Sequence, residues 1–223
     1  MASSTEISNL AISHLGVGKE ISDLNTEKSE EARVCRRFYN IARDQTLRDH
    51  SWPFARREVS LSLIESFTSI DSEWDYLYRY PADAIKLLRI VPQNVGNRNP
   101  SRQARIPYKI AGDSSARTLY CDEEGAKVEY IQRVTDEGFY PSDFEMAFSF
   151  RLSMLIAPRL TSGDPFGLIT KVRDLYMDEI QMAKVNSMNE EQVDENPESE
   201  LVRARGGYEI YTDYGYRKKG SIF

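Results

Sequence analysis

Apolar residues at helical spacing open the chain. Ile7, Leu10, Ala11 and Leu15 fall on one face, and Ser3 with Glu6 has capping-box spacing ahead of them. This predicts a helix from Ser3 to His14 or Leu15, ended by Gly16 and Gly18. Thr26 is placed to cap a second helix, with Glu27, Glu30 and Glu31 in its first turn at the positive dipole end. Val34, Phe38, Ile41 and Ala42 form its predicted buried stripe, flanked by Arg33, Arg36, Arg37, Arg43 and Arg48. Leu47 lies off that stripe and suits a second contact. Pro53 stops the helix, and Trp52 and Phe54 bracket the resulting corner with large apolar area.

The period shifts to two after Arg56. Val59, Leu61 and Leu63 alternate with polar residues, as a half-buried strand does. Tyr76–Pro81 leads into an apolar run from Ile85 to Val91. Three more short strands are predicted at Ile106–Ala111, Arg117–Cys121 and Ala126–Arg133, with turns at Gly112–Ser115 and Asp122–Gly125. Asn94 to Arg105 is polar and predicts an exposed loop.

The helical period returns at Ser142, which with Glu145 repeats the capping-box spacing. Phe144, Ala147, Phe148, Leu152, Leu155 and Ile156 cover nearly all sides of this helix, so it should be central and buried. Pro158 should end it or kink its last turn. Asp164–Pro165 predicts the start of a last helix carrying Phe166, Ile169, Val172, Tyr176, Ile180 and Ala183. Beyond Met188 an acidic stretch without periodicity precedes a tail with Arg203, Arg205, Tyr208, Tyr211, Tyr214, Tyr216 and Arg217. Such a segment is too polar to fold alone, yet rich in the side chains that anchor interfaces, and is expected to order on a partner.

The expected architecture is therefore mainly α (α+β): an antiparallel helical bundle with an inserted small antiparallel β-domain and an extended C-terminal arm. Its expected boundaries are 1–55 and 139–188 for the bundle helices, 56–138 for the β-domain and 189–223 for the arm.

Composition narrows the function. The chain has 223 residues, 40% apolar and 29% charged, with a net charge of −6. No apolar run approaches the ~20 residues that span a bilayer, and the N-terminus lacks the pattern of a secretory signal. An acidic chain is not a general nucleic-acid trap. Cys35 and Cys121 are far apart and fit reduced, buried thiols better than a disulfide.

No residue set points to catalysis or to a cofactor. His14 and His50 have no second metal ligand at suitable spacing. Gly16-Val17-Gly18-Lys19 lacks the Walker spacing and the following Ser or Thr, so it is a helix-ending turn. Asp122, Glu123 and Glu124, like Glu190 and Glu191, are adjacent acids of a kind that is usually solvated. Arg33, Arg36, Arg37 and Arg43 are expected at a subunit interface in preference to nucleic acid. Arg98, Arg102 and Arg105 suit a mobile basic loop whose partner is open.

As an ordered set, several segments resemble the head-to-tail adaptors of short-tailed bacteriophages, the tail tubular protein A family. They are Ile7–Lys19, Cys35-Arg36-Arg37-Phe38-Tyr39, His50–Ala55, Tyr80–Ile90, Tyr130–Asp136, and Phe139-Tyr140-Pro141 with Phe144. The matches span roughly residues 5 to 165, and their order and spacing are more specific than any one motif. The resemblance implies a non-enzymatic virion protein, assembled in the host cytoplasm as a ring, commonly of twelve copies, beneath the portal vertex. Its implied partners are the portal protein, a tail nozzle of the tail tubular protein B type, other copies of itself, and double-stranded DNA passing without sequence recognition. No membrane partner is implied. The implied arm reaches the portal, which gives Arg203, Arg205, Tyr208, Tyr211, Tyr214, Tyr216 and Arg217 as portal-binding candidates. A secondary peptidoglycan hydrolase activity and a small DNA-binding regulator are the alternatives.

Overall fold

In the computed structural model, residues 3–67, 73–91, 106–112, 116–161, 163 and 167–190 are described. Among the described residues, four helices and seven strands follow one another as α1 (Ser4–Ser13), α2 (Glu30–Asp49), β1 (Arg56–Ser60), β2 (Leu63–Ser66), β3 (Tyr76–Arg79), β4 (Ala84–Val91), β5 (Lys109–Gly112), β6 (Arg117–Cys121), β7 (Lys127–Gln132), α3 (Ser142–Leu160) and α4 (Leu168–Glu190). The chain divides into two units, Met1–Met188 and Asn189–Phe223. The predicted arm lies outside the described residues beyond Glu190, its first two residues instead ending α4, and so do the Asn94–Arg105 loop and the Asp164–Pro165 helix start. Among the described residues no helix is long and apolar enough to cross a membrane.

The helical bundle with a small inserted β-domain is not what forms. The fold is α+β, with two antiparallel sheets ordered β1-β7-β4 and β2-β3-β6-β5. The first sheet is a middle layer. Ile85, Leu88 and Ile131 face the helices, while Ala84, Leu87, Ile90, Val128 and Tyr130 face the second sheet. Two register shifts in β4, at Ala84/Lys86 and Leu87/Arg89, put every third residue on one face. The sheet thus helps build the helical core and is not an appendage to it.

The predicted strand through Val59, Leu61 and Leu63 is also corrected. β1 and β2 are outer strands of different sheets, and the chain changes sheet between them. The Leu61 amide donates to Ala126 O (2.9 Å), whereas Ser62 O accepts from the Arg79 amide (2.9 Å). Val59 and Leu63 are consequently exposed.

In α1 the capping box forms as spaced: Ser3 Oγ accepts from the Glu6 amide and Glu6 Oε2 from the Ser3 amide. α2 starts three residues later than Thr26 allows. Ser29 is its N-cap, while the Thr26 hydroxyl donates to Asp23 Oδ2 (2.6 Å) in a preceding turn. Its buried stripe is rotated from the predicted one. Ala32, Cys35, Tyr39, Ala42 and Leu47 are inside, Val34 and Phe38 are half-buried, and Ile41 is 47% exposed.

α3 is the central buried helix that its apolar residues predict. Its N-cap is Pro141 without a side-chain bond, so Ser142 does not cap it, and it continues past Pro158 to Leu160. The Ser153 hydroxyl donates within hydrogen-bond distance of Ala11 O and Ser149 O (2.8 and 2.7 Å), joining α1 to α3 through small residues. Val172, Tyr176, Ile180 and Ala183 bury the inner face of α4 against the same core.

Candidate functional site

Trp52 and Phe54 pack into the helical core. α2 ends at Asp49, and the chain turns through a short 3-10 segment at Pro53–Ala55. Trp52 Nε1 donates to Thr46 O at 2.8 Å, satisfying a carbonyl that the helix end leaves free. The indole meets Phe144 edge-on at 5.0 Å, and Phe54 meets Phe144 at 5.1 Å. Tyr140 and Phe148 complete the cluster around Phe144, which is fully buried. Each such ring pair is worth ~0.5–1.5 kcal/mol beyond its area.

Polar ties run from this cluster to the middle sheet. Arg43, buried on α2, donates from Nε and Nη2 to Asp44 Oδ1, and Arg133 after β7 donates to Asp44 Oδ2 at 3.0 Å. The Tyr39 hydroxyl donates to Glu137 Oε1 (3.1 Å) and the Tyr140 hydroxyl to Val134 O (2.9 Å). Burial pushes both phenols well above their usual range, with Glu137 adding to the effect on Tyr39. They therefore stay neutral donors at physiological pH. At the C-terminal end of α2, Arg151 lies over the Tyr176 ring and reaches Asp49 at 3.4 Å, and Asp49 also accepts from the Tyr176 hydroxyl (2.7 Å). These ties join α2, α3, α4 and the sheet.

The four predicted interface arginines are not brought together. Arg43 is buried on Asp44, and Arg36 Nη1 donates to Leu24 O and Asn25 O (3.0 and 2.7 Å), pinning the loop after α1. Arg33 and Arg37 are exposed. That loop folds back on α1, where the Asn9 side chain pairs both ways with the Ile21 backbone. Within it Gly16 takes φ of 70°, and Lys19 pairs with Glu31 at 2.8 Å.

The histidines are side-chain partners in the helical core. His14 Nε2 lies 3.0 Å from Ser149 Oγ with its ring stacked on Phe150, and His50 Nε2 lies 3.0 Å from Ser187 Oγ. Burial lowers both pKa values, and for His50 nearby Lys184, Arg56 and Lys86 lower it further. Cys35 and Cys121 are free and buried, and burial pushes the Cys35 thiol up to about 12. Among the described residues no group of three or more His, Cys, Asp or Glu is placed to hold a metal ion.

Asp122 accepts from the Asp75 amide at 3.1 Å. Glu124 lines a surface hollow of about 430 Å³ with Leu63, Ser66, Phe67, Asp75 and Tyr76. Among the described residues that lining has two carboxylates and no histidine, cysteine or lysine. Glu190 ends α4. Glu191, Arg98, Arg102, Arg105 and the candidates Arg203, Arg205, Tyr208, Tyr211, Tyr214, Tyr216 and Arg217 lie outside the described residues.

Sequence reasoning missed the outer face of α4. Leu175, Met182 and Val185 are each at least half exposed. Their spacing of seven and then three residues was the available signal, overshadowed by the stronger stripe on the inner face. No protein-family model matches the chain, and no curated protein is significantly similar to it.

Proposed function

We propose that this chain is a non-enzymatic structural adaptor, joining the portal to the tail nozzle of a short-tailed bacteriophage. Copies form a ring through which the genome passes, and the ring helps retain packaged DNA. The observation that carries the reading is a convergence. The segments resembling the adaptor family, scattered between Ile7 and Phe144, all contribute side chains to one hydrophobic core that includes Trp52 and Phe144. Segments whose joint spacing matters should meet in this way, because spacing between motifs is kept by packing.

The charge supports the same reading. Each phosphate a protein neutralises adds affinity through counterion release, so a chain of net charge −6 holds passing DNA weakly. The tail anchors, Tyr208, Tyr211, Tyr214, Tyr216 and Arg217 with Arg203 and Arg205, dock on the portal. Deleting residues 203–223 is expected to abolish capture of the full-length chain's portal partner in a pull-down while leaving the far-ultraviolet dichroism of residues 1–188 intact. Unchanged portal affinity would remove the docking assignment.

A further inference from the structure

Among the described residues, two helices turn uncovered faces of opposite charge away from one core. α2 and α4 bury their inner faces in the same cluster, so their outer faces cannot meet within one chain. On α2 that outer face carries Arg33, Arg37 and Ile41, all exposed. Among the described residues none of these arginines has a carboxylate partner. Glu30 and Asp44 share the face, but Glu30 is held by Arg159 at 3.1 Å and Asp44 by Arg43 and Arg133. The face is therefore basic around an apolar centre.

The outer face of α4 is its complement. Asp174 and Asp178 are exposed beside Leu175, Met182 and Val185, with Lys171 at the N-terminal end. Among the described residues neither aspartate has a cationic partner. The spacing also corresponds. Arg33, Arg37 and Ile41 repeat every four residues, as do Asp174, Asp178 and Met182, a step of ~6 Å along each helix. Laid side by side in the same direction, the helices place arginine against aspartate twice and Ile41 against Met182. Laid in opposite directions, they set Ile41 against an aspartate.

We propose that the outer face of α4 seats on the outer face of α2 of a second copy of this chain, the two helices running parallel. The contact is heterologous, so every copy keeps one face of each kind free for the next. This names the surfaces that join copies in the adaptor, and it rests on that reading.

Charge reversal of the full-length chain tests it. Arg33→Asp with Arg37→Asp makes both faces acidic, and Asp174→Arg with Asp178→Arg makes both basic. Each variant alone should associate at least about tenfold more weakly than wild type by sedimentation at low salt. Mixing the two should restore association, because each then offers the face that the other lacks. Oxidising the double variant Ile41→Cys/Met182→Cys should give a ladder beyond dimer. Mixed single-cysteine variants should stop at dimer.

Wild-type protein that stays monomeric and uncrosslinkable up to about 1 mM, the weak end of specific association, would overturn the proposal. So would reversed variants that associate as wild type does. That pattern would assign the α4 face to another occupant, residues 191–223 among the possibilities, and leave a ring built on other surfaces standing. The adaptor reading itself fails if the chain does not bind a portal, whatever the outcome for these two faces.

Discussion

The middle sheet separates two unlike cores. On its helix side, Ile131, Ile85 and Leu88 join a cluster of interlocked rings, cross-tied by buried Arg43 and by Asp44 with Arg133. On its other side, Tyr78, Leu119, Cys121, Val128 and Tyr130 form a smaller core whose flanking strands expose Leu63, Ile64 and Ile110. The difference predicts where core substitutions are least tolerated. Large rings held by several neighbours cannot relax when one is lost, whereas a small core with open edges has room to adjust.

Phe144→Ala should break this contrast most visibly. Removing the ring at the centre of four aromatic neighbours is expected to cost about 3–5 kcal/mol, read as a fall in the urea midpoint at unchanged slope. A loss below about 1 kcal/mol would mean that the cluster repacks freely. Leu119→Ala, equally buried but on the other side, should cost about 2–3 kcal/mol, because the spread among such substitutions follows how well a site collapses. Equal losses for the two variants would erase the asymmetry.

Acidification sharpens the comparison with a smaller effect confined to the helix side. His14 and His50 both have folded pKa values below the ordinary 6.5. The unfolded chain then binds more protons as pH falls, so stability present above about 6.5 is lost below it. The thermal midpoint should decline from pH 7 toward pH 5, and His14→Gln with His50→Gln should flatten that part of the decline. A profile unchanged by the double substitution would place the sensitivity elsewhere.

What could be read in advance followed the same division. α1 and α3 were legible because each carries its own signal: a capping box in one, apolar residues on nearly every side in the other. α2 was legible as a helix but not in rotation. Cys35 and Tyr39 are buried where Phe38 and Ile41 look more apolar, because Tyr39 has Glu137 as a hydrogen-bond partner and Arg43 beside it has Asp44. The sheets were visible as strands but not as two layers. β1 pairs with β7, Val59 opposite Val128, across nearly the whole region, and no local pattern encodes a partner so distant. The bulges of β4 replace alternation by a period of three, which resembles neither a strand nor a helix. Of the candidate surfaces, Trp52 and Phe54 were evident from bulk beside a helix-stopping proline. The division of the arginines was not, since Leu24 O and Asn25 O, which occupy Arg36, are placed only by the folded loop.

Native mass spectrometry of the full-length chain mixed with a portal protein of a short-tailed bacteriophage tests the proposed adaptor role most directly. The account predicts a discrete complex carrying many copies of this chain on one portal ring. A spectrum containing only free portal and free chain, at every mixing ratio, would contradict it.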